Sequence, residues 1–116
     1  MRKRIYIAGP YSADNLIDYE AHKRIGRAMG AYLTAHGYAP YCPFLDSVYL
    51  EGVYGDAITV KDLQEVSMAY VETCEAMLIL PGWENSKGTK AEIKRAKELN
   101  LPVYYDRDKF EKEMKP

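Results

Sequence analysis

The chain has 116 residues, of which 47% are hydrophobic, and its formal net charge is −1; this length predicts one compact domain over residues 1–116 and excludes two domains with separate cores. The lysines and arginines are interleaved with acids rather than clustered, so the composition argues against a nucleic-acid polymer as a partner. No apolar stretch approaches the roughly 20 residues that cross a bilayer, so we expect no membrane partner. Residues 1–4, three of which are basic, lead directly into a strand pattern rather than a signal peptide, so we expect a cytoplasmic location.

The chain opens with a strand pattern followed by a long helix pattern. Residues 4–8 are a short apolar run that stops at the Gly-Pro pair 9–10, which predicts a strand and a turn. Residues 16–36 have apolar side chains at helical spacing, and Gly37 is a typical stop for such a helix. The apolar stripe predicted for this helix consists of Ala21, Ile25, Ala28, Met29, Tyr32 and Leu33.

The middle of the chain contains two short strand patterns and a second helix. Residues 38–41 predict strand two, and residues 76–80 are an apolar run before a Pro-Gly turn, which predicts strand three. Residues 43–56 have aromatic, glycine and acidic residues without a clear period, which predicts an ordered loop over a site. A helix opens at Thr59. The side chains predicted to face inward from this helix are Leu63, Val66 and Tyr70.

The last third of the chain completes the pattern. A helix begins at Ser86 or Thr89 and runs to about Asn100, residues 102–105 predict strand four, and the charged tail from Asp106 predicts a short helix. Because strands alternate with helices along the whole chain, parallel β-α-β units with right-handed crossovers are expected. The sequence therefore predicts an α/β three-layer sandwich with a parallel sheet of four or five strands.

Glu92 is the main indication of function, because it lies on the apolar side of a well-solvated helix. It precedes Ala96 by four residues and Leu99 by seven, and these residues share an inward stripe with Ile93. The helix begins beyond the carboxyl end of a strand, where open α/β sheets bind ligands and free N–H groups suit anions. A capping box over residues 89–92, in which the glutamate bonds a backbone N–H, is the alternative.

No metal or cofactor site is indicated by the sequence. Cys42 and Cys74 lack C-x-x-C spacing, and His22 and His36 are too far apart for a zinc motif. Cys42 has apolar neighbours, which favours a small packed side chain over a thiol nucleophile. We therefore expect neither a metal nor a cofactor.

Two segments carry a resemblance to a known family. They are residues 5–11, IYIAGPY, and residues 80–88, LPGWENSKG, the second followed by Glu92. Together they resemble the nucleoside 2-deoxyribosyltransferase-like superfamily, especially its small bacterial and phage branch, and the likeness covers nearly the whole chain. The resemblance implies a flavodoxin- or Rossmann-like domain that cleaves the N-glycosidic bond of a nucleoside or nucleotide, by transfer to another base or by hydrolysis.

The resemblance also implies roles for single residues. Glu92 corresponds to the nucleophile that attacks the anomeric carbon, and Tyr6 is similar to the tyrosine that orients it. This chemistry is sound, because a carboxylate beneath an oxocarbenium-like centre stabilises its charge or bonds to it covalently. Gly9 and Pro10 are similar to the family's sugar- or phosphate-facing loop and are equally consistent with a tight turn. Tyr11 and Trp83 could stack on a base, although packing is the more common role of a single aromatic side chain in a chain with eleven tyrosines.

The chain departs from the family pattern at two positions. Ser67 stands where the transferases carry an aspartate, which leaves protonation of the departing base without its usual group. The nearest acids are Asp62 and Glu65, and Asp62 can serve as proton donor only if the helix shifts. Ser86 stands where the transferases commonly have an aspartate and the nucleotide N-hydrolases have a serine. Ser86 and the Gly88 backbone therefore predict a 5′-phosphate site, with a plain helix N-cap as an equal alternative.

The sequence thus predicts an enzyme that cleaves an N-glycosidic bond of a nucleoside or nucleoside 5′-monophosphate. A non-catalytic nucleotide-binding module of the same fold is the alternative, and Ser67 is the residue that favours it. A homodimer or larger assembly is expected, as for the relatives that the chain resembles, through the loop 43–56 and the helix that opens at Thr59. The apolar residues of that loop are Phe44, Leu45, Val48, Tyr49, Leu50, Val53 and Tyr54.

Overall fold

The structure is a computed structural model that describes residues 1–11, 13–46 and 58–116. The predicted elements are present in the predicted order, β1 with the predicted bounds and the others within one or two residues of them, and the structure adds α2 and a 3₁₀ turn. They are β1 (Arg4–Ala8), α1 (Leu16–Ala35), β2 (Ala39–Tyr41), α2 (Pro43–Asp46), α3 (Val60–Val71), β3 (Ala76–Ile79), a 3₁₀ turn (Trp83–Asn85), α4 (Lys87–Glu98), β4 (Val103–Tyr104) and α5 (Arg107–Glu113).

The strands of the described part of the chain form one sheet in the order β2-β1-β3-β4. All three strand pairs, β1 with β2, β1 with β3 and β3 with β4, are parallel. Parallel pairing requires crossovers, so the carboxyl ends of the strands lie at the same edge of the sheet. The predicted α/β fold with a parallel sheet of four or five strands is confirmed, and the sheet has four.

Alternation of side chains along β1 produces a core on each face of the sheet. Ile5 and Ile7 belong to the core that α1, α2 and α5 cover. Tyr6 and Ala8 belong to the core that α3 and α4 cover. All four side chains are completely buried, as expected for a central strand that has helices on both faces. The three layers are therefore helices, sheet and helices.

The buried face of α1 agrees with the predicted stripe at Leu33, Met29 and Tyr32, which belong to the core or pack against it, and differs at Ile25 and Ala28. Ile25 is 40% exposed and Ala28 is exposed, whereas Gly26 and Leu33 are the buried residues of this helix. The reason is close packing against α2, because a Cβ added at Gly26 would lie 2.7 Å from two ring carbons of Phe44. The glycine lets the Phe44 ring contact the helix directly and rotates the buried stripe away from Ile25.

The prediction for α3 also needs correction. Leu63 and Tyr70 are 38% and 46% exposed, and Val66 is half-buried. The side that packs inward is offset from the predicted stripe and ends at the buried Val71. Tyr70 lies at the sheet edge, where its ring stacks on Tyr41 with centroids 4.0 Å apart. Periodicity identified this helix, but its neighbours decided which side is covered.

The segment predicted as a loop over residues 43–56 begins with a short helix instead. Pro43–Asp46 forms α2, and Phe44 at its start is buried in the core. The backbone N–H of Cys42 donates a hydrogen bond to the Asp46 side chain over 2.6 Å, which closes this turn. The remaining predicted loop residues, with Val48, Tyr49, Leu50, Val53 and Tyr54, lie outside the described residues.

Close approach of two strand ends shapes the edge of the sheet where a ligand would bind. Gly9 follows β1, and a Cβ added there would lie 2.7 Å from Cβ of Leu80, which follows β3. The Leu80 N–H also donates a hydrogen bond to the Ala8 carbonyl over 2.8 Å. The chains that leave β1 and β3 are thus held side by side. No helix in the described ranges is long and apolar enough to cross a membrane.

Candidate active site

A cavity of about 1420 Å³ opens at the carboxyl edge of the sheet. Its walls come from the turn after β1, the first turns of α1, the length of α3 and the first turns of α4. This is the position at which open α/β sheets bind ligands. Of the predicted site residues, it brings together Glu92, Gly9, Pro10, Tyr11, Ser86 and Gly88.

Glu92 is a buried carboxyl group in the wall of this cavity. Its side chain is 8% exposed and lies on the inward face of α4 with Ile93 and Ala96. The hydroxyl of Tyr6, which is completely buried in β1, donates a hydrogen bond to the Glu92 carboxylate. The predicted inward position of Glu92 and its predicted contact with Tyr6 are therefore both present in the structure.

Burial determines the protonation of this pair. Burial raises the pKa of Glu92 to about 7, and the hydrogen bond from Tyr6 acts in the opposite direction. Burial and the adjacent Glu92 charge also raise the pKa of Tyr6. The phenol consequently stays protonated at neutral pH and serves as a donor. A buried carboxyl with a raised pKa in the wall of a cavity is a typical feature of functional sites.

The helix start excludes the capping-box interpretation of Glu92. Ser86 is the N-cap of α4, and its Oγ accepts hydrogen bonds from the N–H of Thr89 over 3.2 Å and from the Thr89 hydroxyl over 2.8 Å. Thr89 is therefore the third helical residue rather than the cap. Glu92 lies beyond the first turn, where a side chain no longer reaches the orphan N–H groups.

The start of α4 presents polar groups to the cavity. Ser86, Lys87 and Gly88 all line it. Ser86 Oγ acts as acceptor in both of its capping bonds, so its own hydroxyl hydrogen can point to a ligand. A Cβ added at Gly88 would meet nothing within 4 Å, so a ligand can approach its backbone closely. The geometry is compatible with both predicted roles of Ser86, the N-cap and the anion contact.

The turn after β1 forms the opposite wall. Gly9, Pro10 and Tyr11 line the cavity. The Tyr11 ring stacks on Phe44, with centroids 5.4 Å apart and an interplanar angle of 18°. The Tyr11 and Tyr19 hydroxyl oxygens are 2.5 Å apart in a hydrogen bond. Packing therefore fixes the Tyr11 ring at the edge of the cavity, and its predicted contact with a base stays a prediction.

Trp83 is not brought to this cavity. It contacts Tyr105, with ring centroids 5.1 Å apart. It lines a separate groove of about 560 Å³ together with Ile93, Lys90, Lys94 and Lys97. Trp83 begins the 3₁₀ turn after Gly82, and its ring packs against the core on the α3 and α4 face of the sheet, beside Tyr105 at the end of β4. Trp83 is therefore close to Glu92 in the sequence but does not line the same cavity. The predicted contact of Trp83 with a base is not supported by this position.

Asp62 is also placed away from Glu92. It forms a capping box with Thr59, whose N–H donates to Asp62 Oδ2 over 2.8 Å. This backbone hydrogen bond lowers the pKa of Asp62, which favours the charged form over a proton donor. The helix shift that would bring Asp62 inward is absent. Glu65 and Ser67, from the same helix, do line the cavity.

The first turns of α1 supply cavity residues that the sequence interpretation missed. Asp14, Asp18 and His22 line the cavity, and His22 Nδ1 lies 3.3 Å from the Tyr11 carbonyl oxygen. Their spacing of four residues, directly after a strand end, was the available signal. Lys61 and Lys87 add two cations to the wall. These groups give the cavity the mixed polar lining of a small-molecule site.

The thiol of Cys42 is unsuited to attack. Its side chain is 3% exposed, and burial raises the pKa of the thiol, with a further contribution from Asp46. A buried, protonated thiol is a packed hydrophobic group rather than a nucleophile. Within the described ranges, no group of three His, Cys, Asp or Glu side chains is arranged to hold a metal ion.

Comparison with known proteins identifies the fold independently. A family model described as a domain of unknown function (DUF4406) matches residues 3–105. No curated protein sequence matches the chain. Among solved structures, a 2-deoxyribosyltransferase from Bacillus psychrosaccharolyticus is similar with a TM-score of 0.64 at 14% identity, over 86% of this chain and 69% of that one.

Two further solved structures are similar. A 2-desoxiribosyltransferase from Leishmania mexicana has a TM-score of 0.58 at 20% identity, over 87% of this chain and 61% of its own. A CMP N-glycosidase from Clostridium botulinum has a TM-score of 0.60 at 18% identity, over 87% of this chain and 68% of its own. The resemblance inferred from the two sequence motifs is thereby confirmed, and at these identities it is a likeness of fold.

Proposed function

This chain belongs to the DUF4406 family, and we propose that it is an enzyme that cleaves the N-glycosidic bond of a nucleoside or nucleoside 5′-monophosphate. The observation on which this proposal rests is the Glu92 carboxyl group, which is buried in the wall of a large cavity and accepts a hydrogen bond from Tyr6. The fold is shared with two deoxyribosyltransferases and a CMP N-glycosidase, which supports the same bond as the target.

The proposed reaction has two steps. The Glu92 carboxylate attacks C1′ of the sugar, the C1′–N bond breaks, and the base leaves with the bonding electrons and takes up a proton. The product is a glycosyl ester on Glu92. Water or a second base then attacks C1′ from the opposite side, loses a proton to solvent and releases the carboxylate, which balances the proton that the departing base took up. Tyr6 holds the attacking group in position, because its own hydroxyl stays protonated and donates to the carboxylate.

A nucleoside 5′-monophosphate is the substrate form that we favour. The first turn of α4 offers the Ser86 hydroxyl and the open Gly88 backbone on the cavity wall, and Lys87 adds a positive charge. Free N–H groups at a helix N-terminus attract phosphate. Glu92 lies four residues further along the same helix than Gly88. A phosphate at the helix start would therefore tether the nucleotide beside the attacking carboxylate.

Assembly and location remain predictions. Leu63, which lines the cavity, and Tyr70, which lies at the sheet edge, are exposed apolar side chains on α3. This exposed apolar surface supports a homodimer or larger assembly. The partners are otherwise small molecules, with no nucleic-acid polymer and no membrane. A cytoplasmic location fits a nucleotide substrate.

The second candidate function is a non-catalytic nucleotide-binding module. Ser67 is the observation that favours it, because this position, which carries an aspartate in the transferases, lines the cavity here with a hydroxyl. A serine hydroxyl is too weak an acid to protonate a leaving base at neutral pH. A pure binding module would hold nucleotides with the same preference for phosphate but would release no base.

A single experiment distinguishes the two functions. Wild type, Glu92→Gln and the surface control Glu98→Gln are incubated with a panel of nucleosides and 5′-monophosphates, and released base is measured by chromatography. We expect release by wild type and by Glu98→Gln, and a loss of about 10³-fold or more in Glu92→Gln. Binding without base release in wild type supports the module, and equal release by Glu92→Gln removes Glu92 as the nucleophile.

A further inference from the structure

The groove that Trp83 lines is a second concave surface, on another side of α4 from Glu92. Its volume is about 560 Å³, which is in the usual range for small-molecule sites. Among the described residues, it shares no lining residue with the cavity at Glu92. Its charged lining residues are three lysines and one glutamate, an excess of two positive charges: Lys90, Lys94, Lys97 and Glu98.

The three lysines of the groove have no ion-pair partner in the described part of the chain. Other helix lysines do, as where Lys61 pairs with Glu65 four residues later on α3. Glu98 follows Lys94 by the same four residues, but it forms its ion pair with Arg95, over 3.5 Å. The positive charges of the groove are therefore available to an anion from outside the described chain.

The spacing of these lysines makes them a continuous row. Lys90, Lys94 and Lys97 are four and three residues apart, so they lie along one side of α4. The row extends over about 10 Å of helix axis. Like charges at this spacing repel each other, and an anion with several charges relieves this repulsion along the whole row. A chain of linked phosphates therefore fits the row better than a single phosphate group.

An exposed aromatic ring lies beside the row. Tyr105 is 47% exposed, and the Lys97 Nζ lies 5.9 Å from the centroid of its ring. Trp83 contacts the same ring and is packed against the core, which supports Tyr105 from one side. Exposed aromatic rings of this kind stack on nucleic-acid bases. A ligand that joins a planar base to several phosphates would contact the ring and the lysines together.

We propose that this groove is a second nucleotide site, for a nucleoside polyphosphate whose base stacks on Tyr105 and whose phosphates lie along Lys90, Lys94 and Lys97. The small volume and the ring beside the charges favour this ligand over an acidic peptide, which uses the charges but not the ring. The site is separate from the cavity at Glu92 and does not require that Glu92 cleaves a substrate.

Binding is measured with the full chain by the fluorescence of Trp83, the only tryptophan, and by calorimetry. ATP without divalent cations is the probe, and the comparison ligands are adenosine, tripolyphosphate and a peptide of consecutive glutamates. The proteins are wild type, Lys94→Gln, Tyr105→Leu and Lys112→Gln. Lys112 is the matched control, because it is exposed on α5 and lines neither the groove nor the cavity.

ATP is expected to change the fluorescence saturably and to bind wild type more tightly than each comparison ligand. Lys94→Gln should weaken ATP binding by about 5-fold, because one charge contact at the surface is lost. Tyr105→Leu should lower the affinity for ATP to that for tripolyphosphate, and Lys112→Gln should match wild type. No saturable binding of ATP, equal binding by wild type and Lys94→Gln, or equal binding of ATP and the glutamate peptide overturns the proposal.

Variants of the other cavity separate the two sites. Ser86 and Glu92 line that cavity and not the groove, so Ser86→Ala and Glu92→Gln should keep the fluorescence response to ATP. Loss of the response in Ser86→Ala would assign the nucleotide to the cavity at Glu92 and would overturn the proposal. The titrations need no turnover, so they decide whether the groove binds a nucleotide even if no base is released and the proposed function fails.

Discussion

The hydroxyl of Tyr6 and the carboxylate of Glu92 form a buried hydrogen bond between residues 86 positions apart in the chain. The donor comes from the central strand and the acceptor from the helix that follows the neighbouring strand, so the bond exists only in the folded sheet. Burial and this one donor act in opposite directions on Glu92. The balance of these two effects sets the pKa of Glu92.

The first prediction is the pH dependence of base release. The attacking form of Glu92 is the carboxylate, and its pKa in the folded protein is raised to about 7. The value of kcat/KM should therefore rise with pH and level off above a midpoint near 7. Initial rates between pH 5 and 9 measure this profile. A rate that instead falls as pH rises through 7 would assign Glu92 the role of a general acid.

Removal of the Tyr6 hydroxyl should move that midpoint. Tyr6→Phe keeps the buried ring but loses the donor that favours ionised Glu92, so the acid limb should shift to higher pH and the rate at pH 7 should fall by about 10-fold. Tyr38→Phe is the matched control, because Tyr38 is a buried phenol that donates to the Met114 carbonyl on the other face of the sheet. Equal pH profiles for the two variants would contradict the role of Tyr6.

Stability should depend on pH through Glu92. A raised carboxyl pKa means that the folded protein binds the proton more tightly than the unfolded chain, whose pKa is near the ordinary 4.5. The contribution of protonated Glu92 to the free energy of unfolding is therefore fully present below about pH 4.5. It decreases as the pH rises and is lost as the pH reaches about 7. The loss corresponds to about 3 kcal/mol at the raised pKa.

Glu92→Gln should remove this loss, because a neutral amide has no charge to desolvate. Between pH 5 and 8, the free energy of unfolding from urea titrations should fall further in wild type than in the variant, by about 2–3 kcal/mol. Glu98→Gln, at an exposed position paired with Arg95, should follow wild type. Parallel curves for wild type and Glu92→Gln would show that Glu92 is not desolvated in the folded protein.

The phosphate prediction separates the two interpretations of Ser86. Ser86→Ala removes an N-cap and should cost about 1 kcal/mol of stability under either interpretation. If the hydroxyl also contacts a 5′-phosphate, the variant should lose much of the preference for monophosphates over the matching nucleosides in calorimetry. Asp106→Ala is the control, because Asp106 is the N-cap of α5 and its side chain accepts a hydrogen bond from the Asp108 N–H. This variant should leave the preference for monophosphates intact. An unaltered preference in Ser86→Ala would limit Ser86 to capping.

Assembly is tested on α3. Leu63 lines the cavity and is 38% exposed, and Tyr70 on the same helix is 46% exposed. If these side chains are buried between copies of the chain, sedimentation at micromolar concentration should show a dimer or larger species, and Leu63→Asp should shift it toward monomer. A wild-type monomer under these conditions would contradict the prediction and would leave the cavity open to water.

Local pattern was enough to predict most of the architecture. Apolar runs before Gly-Pro and Pro-Gly turns located β1 and β3, and helical spacing placed Glu92 on the inward side of α4. These features depend on the geometry of a single strand or helix, which the spacing of neighbouring residues determines directly. The parallel α/β class followed from their alternation along the chain.

Which face of a helix is covered was decided by its neighbours in the fold. Gly26 rather than Ile25 is buried in α1, because the Phe44 ring packs directly on the glycine. On α3, Leu63 and Tyr70 have apolar character and helical spacing but lie to one side of the contact with the sheet. The spacing of apolar residues in the sequence indicates that a helix has an apolar stripe. The angle at which the helix packs on its neighbours determines which side chains of the helix become buried.

The composition of the site was likewise a tertiary outcome. Tyr6 and Glu92 meet because α4 packs on the face of β1 from which Tyr6 projects. Trp83, only nine residues before Glu92, lines a separate groove. Asp62 precedes Ser67 by only five residues, yet it is held in its own helix cap. The sequence alone determined which chemical groups the chain possesses. Chain crossovers and packing decided which of them share a cavity, because these contacts join residues too distant in sequence for local pattern to relate.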